Sequence, residues 1–268
     1  MAQESDNMKR VIFDSHAHYN DDIYSKEERE NIIDYVFENG VKFILNAGTN
    51  IETTKQSIEL AEKYDGIYAG AGFYPHECCN IKNEQETLDE LNRLISHPKV
   101  VSIAEIGLDY HYDDTPKDIQ KKWFELQLDL AEQNNMPVCI HDREAHGDVV
   151  SILSQHKNVR GMLHSFSGSR ETAEQLLNLG WYISISGVVT FKNARSIVEV
   201  VESLPLDRML IETDTPYLSP VPNRGKPNNS ANLWYTAEKI AEIKRISREE
   251  VIDITRNNAC RLFNIIDK

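Results

Sequence analysis

The sequence predicts a single-domain α/β protein, a (β/α)8 TIM barrel with its site at the C-terminal mouth of the strands. Three observations carry that expectation. Short apolar runs alternate with segments of helical spacing to give eight strand–helix units, and no linker-like composition divides them. Five of the runs lead into residues of metal-ligand type. Those runs lie far apart in chain order, and only a closed barrel gathers their carboxyl ends at one mouth. The competing architecture is a doubly wound open sheet, but its strand ends would not converge, and no Gly-x-Gly-x-x-Gly follows the first run. One barrel uses all 268 residues: a polar tail over residues 1–9 and the barrel domain over 10–268.

The elements follow in order. Val11-Ile12-Phe13 is the first strand. Residues 26–39 place Ile32, Ile33, Val36 and Phe37 at helical spacing and stop at Gly40. Residues 43–47 form a strand, 53–63 a helix, 67–73 a third strand ending at Pro75-His76, and 87–96 a helix before Pro98. A strand from Val100 leads to Glu105, and a long amphipathic helix over 117–134 leads to the strand before His141. Residues 148–155 are helical, 161–163 extended, 172–178 helical up to Gly180, and 181–186 the seventh strand. A helix over 194–204 precedes the eighth strand at 208–211, and helices near 234–244 and 248–263 finish the chain.

The chemistry begins at Asp14-Ser15-His16-Ala17-His18. Side chains alternate along a strand, so His16 and His18 share a face, and two neutral imidazoles held in that way can bind a divalent metal. The pattern of apolar run, ligand and loop recurs at Glu105, His141, His164 and Glu212-Thr213-Asp214. Taken singly, each has a plainer reading: a hydrogen-bonded histidine pair, a solvated glutamate, a core histidine, a helix-capping aspartate. Six donors at five converging strand ends point instead to a metal centre.

Composition bounds the function. A net charge of −14 works against a broad basic surface for nucleic acid, although a metal centre and a few placed cations can still hold a phosphate. Cys78, Cys79, Cys139 and Cys260 form no C-x-x-C pair, and the first ten residues lack the apolar core of a signal peptide. With no run long enough to span a bilayer, these features predict a cytoplasmic protein without a membrane partner. Nothing in the sequence sets the oligomeric state.

Six motifs together resemble the TatD family of metal-dependent deoxyribonucleases, within the amidohydrolase-like barrels. They are Phe13-Asp14-Ser15-His16-Ala17-His18, Gly72-Phe73-Tyr74-Pro75-His76, Ala104-Glu105-Ile106-Gly107-Leu108-Asp109, His141-Asp142-Arg143, His164-Ser165-Phe166-Ser167-Gly168 and Glu212-Thr213-Asp214-Thr215-Pro216-Tyr217-Leu218. The likeness runs in order to Asn258-Ala259-Cys260-Arg261-Leu262-Phe263. It implies that His16, His18, Glu105, His141, His164 and Asp214 are metal ligands, with two divalent ions bridged by Glu105, Mg²⁺ or Mn²⁺ in activity and, as the alternative in the purified protein, Zn²⁺ or another transition metal. His16, His18 and Asp214 would hold one ion, His141 and His164 the other. Asp214 and Glu105 are the expected catalytic residues, with Asp214 taking the proton of the attacking water.

Substrate contacts are expected from His76, from Lys192, and from Arg224 and Lys226 in the loop of residues 220–227, where Arg224 can grip two phosphate oxygens. Asp109 and Tyr110 are expected to orient ligands from behind. His97, His111, His146 and His156 read as surface residues. The chain departs from the family at Asn228-Asn229-Ser230, where Asn-Glu-Pro is usual, so a helix anchor or substrate contact made by that acid is in question. The leading expectation is a 3′-to-5′ exodeoxyribonuclease acting on single-stranded DNA, with RNA or tRNA as other possible substrates. The alternatives are an ester or amide hydrolase on the same metals, such as a D-aminoacyl-tRNA deacylase, and a catalytically idle metal-binding scaffold.

Overall fold

The computed structural model describes residues 11–267, so the expected tail over residues 1–9 lies outside the described residues. The elements run β1 (Ile12–Ala17), α1 (Lys26–Glu38), β2 (Val41–Ala47), α2 (Ile51–Lys63), β3 (Ile67–Gly70), α3 (Glu84–Ile95), β4 (Val100–Asp109), α4 (Lys117–Gln133) and β5 (Val138–Arg143). They continue with α5 (His146–Leu153), β6 (Gly161–Leu163), α6 (Arg170–Asn178), β7 (Tyr182–Ile185), α7 (Arg195–Ser203), β8 (Met209–Ile211), α8 (Leu233–Lys244) and α9 (Arg248–Leu262). Short 3₁₀ turns lie at Pro75–Asn80, Gly187–Thr190, Leu206–Arg208 and Ser230–Asn232.

The eight strands are parallel and adjacent in chain order. Just beyond the end of β8, the His18 amide donates to the Thr215 carbonyl at 2.8 Å and the Asp214 amide to the His16 carbonyl at 3.0 Å. These bonds draw the last strand to the first, making the expected barrel.

Helix boundaries differ from expectation where a hydroxyl or amide caps instead of entering the first turn. Asn83 accepts from the Glu86 amide at 3.3 Å, so α3 starts three residues before Thr87. Ser169 accepts from the Thr172 amide at 3.2 Å and starts α6 at Arg170. Such caps satisfy amides that have no carbonyl of their own within the helix.

Two apolar layers hold the fold. The larger lies between strands and helices. The smaller fills the lower barrel with Phe13, Phe43, Leu45, Cys139, Met162 and Leu210, and α9 with its C-terminal extension seals it through Leu262, Phe263 and Ile265. Phe13 and Phe263 stack with centroids 5.9 Å apart. Burial of each such ring contributes about 1.5–3 kcal/mol. Cys78, Cys139 and Cys260 are buried and Cys79 is exposed, all as free thiols. No helix among the described residues is long and apolar enough to cross a membrane.

Candidate metal centre

Strand parity decides which side chains reach the mouth. On β5, Cys139 faces the interior and His141 follows two residues later; on β6, Met162 and His164 repeat this. β1 and β4 break the rule. Phe13 and Ser15 face inward, where Ser15 meets Ser184 across the barrel at 3.0 Å, whereas Ala17 packs under the helices. The pairing of β1 with β2 shifts between Asp14 and Ala17, and the shift turns His16 and His18 into the mouth. On β4, Ala104 lies in the interior cluster while Ile103 and Ile106 pack outward, and the register with β5 shifts between these two. Glu105 therefore joins Ala104 on the inner side. The Ala104–Glu105 peptide is cis. β4 also runs on through Glu105 to Asp109, longer than expected, because its second half pairs with the ligand-bearing end of β5. Gly107 has φ +138°, and a Cβ there would strike the His141 carbonyl. Only glycine lets the two strands approach so closely.

The six expected ligands meet around Glu105, which divides them. Its Oε2 lies 3.4 Å from His16 Nε2 and 3.2 Å from His18 Nε2. Asp214 Oδ1 approaches the same two nitrogens at 3.9 and 3.5 Å. Glu105 Oε1 instead lies 2.8 Å from His141 Nδ1 and 2.9 Å from His164 Nε2, and those nitrogens are 3.0 Å apart. Metal–ligand bonds of about 2.0–2.2 Å place neighbouring donors about 3–3.6 Å from one another. The spacing fits.

Hydrogen bonds behind the expected ligands fix which nitrogen faces the carboxylates. His141 Nε2 donates to Asp109 Oδ2 at 3.0 Å, His164 Nδ1 to Glu212 Oε1 at 3.2 Å, and His18 Nδ1 to the Ala47 carbonyl at 3.1 Å. The remaining nitrogens face one another and the carboxylates, where added protons or a metal ion would balance the charge. Asp109 also accepts from the Tyr74 hydroxyl at 2.9 Å. Asp14, fully buried, accepts from the Thr213 amide at 2.9 Å, the Thr213 hydroxyl at 2.5 Å and the Ser230 hydroxyl at 2.6 Å. It ties β1 to the segment carrying Asp214, whose φ of +57° is one aspartate tolerates.

Electrostatics show the same demand for positive charge. Burial by itself would lower the His18 pKa, but Asp214 and Glu105 beside it push the value up to about 10. Burial likewise opposes charge on His164, yet Glu105 and Glu212 hold its pKa well above the usual imidazole range. Burial would raise the Glu105 carboxyl, and His164, His141 and His16 instead hold it well below the usual carboxylate range. The Asp214 carboxyl, also raised by burial alone, ends lowered by His18, His164 and His16. The His16 pKa is lowered, by burial and by His164 stacked on it at 4.1 Å.

The mouth opens into two lobes that share His141, Arg143, His164, Asp214 and Leu218. The first, of about 730 Å³, is walled by Asp21, Asp22, Tyr74, Glu77, Tyr112 and Tyr217. The second, of about 620 Å³, is walled by Asp142, Glu144, His146, Ser165, Phe166 and Asn193.

Other expected residues are placed as follows. Asp109 orients His141 as foreseen, but Tyr110 turns away and donates to Asp148 Oδ2 at 2.7 Å. His76 sits behind the ligands, paired with Asp114 and 3.6 Å from Asp109 Oδ2, and lines neither lobe. The Arg224 guanidinium lies 3.9 Å over the Phe191 ring, outside both lobes, as are Lys226 and Lys192. His97 and His111 pair with Glu62 and Glu144, His146 is half-buried on Asp142 in the second lobe, and His156 faces Asp129. At the departure from the family pattern, Asn229 caps the 3₁₀ turn through the Ala231 amide at 3.1 Å, and Ser230 supplies the donor to Asp14. The turn is anchored without the acid. Sequence reasoning named Glu212, Asp14 and Arg143 within the motifs but gave none of them a role in the site. Period-two counting inward from Leu210 through Glu212 to Asp214 would have found the first.

Comparison with known proteins agrees with this geometry. A family model described as TatD related DNase matches residues 13–264. An uncharacterized metal-dependent hydrolase of Bacillus subtilis (strain 168), YabD, is 43% identical over 257 residues, covering 95% of this chain and 100% of its own. YcfH, an uncharacterized metal-dependent hydrolase of Escherichia coli (strain K12), is 36% identical over 258 residues, covering 95% and 96%. The crystal structure of YjjV, a TatD homolog from Escherichia coli K12, aligns with a TM-score of 0.88 at 29% identity, covering 96% of this chain and 99% of that one. A barrel of this topology, matched along nearly its whole length, makes the chain a metal-dependent hydrolase of the TatD-related DNase family.

Proposed function

We propose that this protein is a two-metal phosphodiesterase that shortens single-stranded DNA from its 3′ end. The observation that carries the reading is the division of donors around Glu105: one carboxylate oxygen faces His16, His18 and Asp214, the other His141 and His164. Two divalent ions, when bound, would supply the Lewis acidity that activates water and steadies the leaving oxygen. Around them the chain's own groups do the rest. Asp109 and Glu212 hold the imidazoles of His141 and His164 in register. Asp214, partly open to the lobes, accepts the proton that the attacking water loses as its oxygen joins phosphorus. The departing strand oxygen takes up a proton in turn, so each cut consumes one water.

Charge supports entry by a strand end. The chain carries −14 overall, and Arg143 is the arginine shared by both lobes, which favours contact with a polyanion at the mouth. Any phosphate held by Arg224 or Lys226 lies further out along the strand. The test is parallel incubation of the Mg²⁺- or Mn²⁺-loaded protein with a 5′-labelled single strand and with a D-aminoacyl-tRNA. A ladder shortening one nucleotide at a time supports the reading. Deacylation without a ladder moves the same site to ester hydrolysis, and rapid cutting of closed circular DNA contradicts end entry.

A further inference from the structure

We propose that the first lobe is the pocket for the terminal nucleoside, and that its carboxylates select strand ends bearing a 3′ hydroxyl over ends bearing a 3′ phosphate. The assignment rests on the exonuclease reading and adds a direction and an end chemistry to it. Two independent observations distinguish the lobes. The first is aromatic. Tyr112 and Tyr217 both line this lobe, with relative exposures of 51% and 53%. Exposed rings beside a phosphoryl-transfer centre are stacking surfaces for a base, and stacking tolerates any base identity. A cavity of about 730 Å³ lies within the roughly 300–1,000 Å³ of small-ligand pockets.

The second observation is charge. Among the described residues no ion pair reaches Asp21, Asp22 or Glu77 in the first lobe. The Tyr217 hydroxyl donates to Asp21 Oδ2 at 2.7 Å, which brings no cation to the carboxylate and orients the ring beside it. In the second lobe each such acid is answered: Asp142 by His146 Nδ1 at 2.8 Å, Glu144 by His111 Nδ1 at 2.7 Å. Neutral donors line both lobes, Ser165 and Asn193 in the second and Asn20, Thr49 and Asn50 in the first, so the contrast between them is one of charge. A chain of phosphates is therefore tolerated in the second lobe and opposed in the first. A terminal nucleoside ending in a hydroxyl brings no charge beyond the scissile phosphate, whereas a 3′ phosphate would set a near-dianion against three carboxylates. Arg143, shared by both lobes and 5.3 Å over the Tyr112 ring, stands where the scissile phosphate passes between them.

The experiment compares matched single strands ending in a 3′ hydroxyl or a 3′ phosphate on the metal-loaded protein. The hydroxyl end should be favoured about tenfold or more in kcat/KM, and Asp22→Asn combined with Glu77→Gln should shrink that ratio severalfold. Tyr112→Ala should raise KM for the hydroxyl-ended strand more than it lowers kcat. Calorimetry on the wild-type protein gives a reading that needs no variant to fold: deoxyadenosine 5′-monophosphate should bind more tightly than deoxyadenosine 3′,5′-bisphosphate. Degradation of both ends at equal rate, equal binding of the two nucleotides, or a ratio untouched by the double variant overturns the lobe assignment and leaves the exonuclease reading standing. Failure to shorten either strand removes both.

Discussion

Asp109 Oδ2 accepts the Nε2 proton of His141 at 3.0 Å, and that single bond turns His141 Nδ1 toward the Glu105 carboxylate, 2.8 Å away. A carboxylate behind a ligating imidazole fixes its tautomer and ring plane and raises its basicity. Asp109→Asn keeps the shape but can offer an amide N–H to His141 and turn the ring. Metal affinity should fall about 10–100-fold, with the fold retained. Titration of metal into the chelated variant, read by calorimetry, checks this. Affinity equal to wild type would show that Asp109 does not position His141.

Chelation should abolish hydrolysis and added Mg²⁺ or Mn²⁺ should restore it. Elemental analysis of saturated protein should approach two ions per chain, since the donors fall into two groups about Glu105. Full activity after exhaustive dialysis against chelator would end the two-metal reading.

Asp214→Asn keeps an oxygen toward His18 but removes a base, so its rate should fall more than its metal occupancy. His141→Ala should lose occupancy of one ion outright. An Asp214→Asn protein with wild-type rate across pH would take proton transfer away from this residue.

The response to pH should reverse sign with metal. In the metal-free protein, His18, His141 and His164 have pKa values raised above the unfolded value of 6.5. Their contribution is complete below about pH 6.5 and is lost as pH climbs through the folded values, about 10 for His18. His16 runs the other way, three against one. Glu105 and Asp214 are lowered, so their contribution is present above the ordinary carboxylate range and lost only in stronger acid. The Tm of chelated protein should therefore decline from about pH 6.5 upward. Metal must displace the histidine protons, so the increment in Tm on adding metal should grow over the same range. Scanning calorimetry with and without chelator tests it, and parallel pH profiles would contradict the proton–metal exchange.

Phe263→Ala should remove the plug under Phe13 at the closed end of the barrel. A cost of about 3–5 kcal/mol in unfolding free energy is expected, with activity per folded molecule kept, because the ring lies at the opposite end from the mouth. Denaturant unfolding measures the first and titrated active protein the second. A stable but inactive variant would mean that the lower core sets the metal geometry.

The barrel was legible in the sequence because strand and helix periods are local properties. Apolar runs and helical spacing mark each element whatever the rest of the chain does, and the recurrence of a ligand after a run marks the mouth. His141 and His164 could be placed by counting twos from Cys139 and Met162. Tertiary structure decided what counting could not reach. Period-two alternation carried on from Phe13 and Ala104 would send His16, His18 and Glu105 under the helices. Shifts in pairing with β2 and β5 turn them inward, and such shifts depend on neighbouring strands far away in sequence. The bonds from Asp14 to Thr213 and Ser230 form only when β8 meets β1, whereas Asp109 reaches His141 across the neighbouring strands β4 and β5, and Glu212 reaches His164 from β8 to β6. The same closure leaves Arg143 at the junction of the lobes while Arg224 lies over Phe191. Proximity to a motif along the chain does not measure distance in a barrel, where neighbours are set by the order of strands around the mouth.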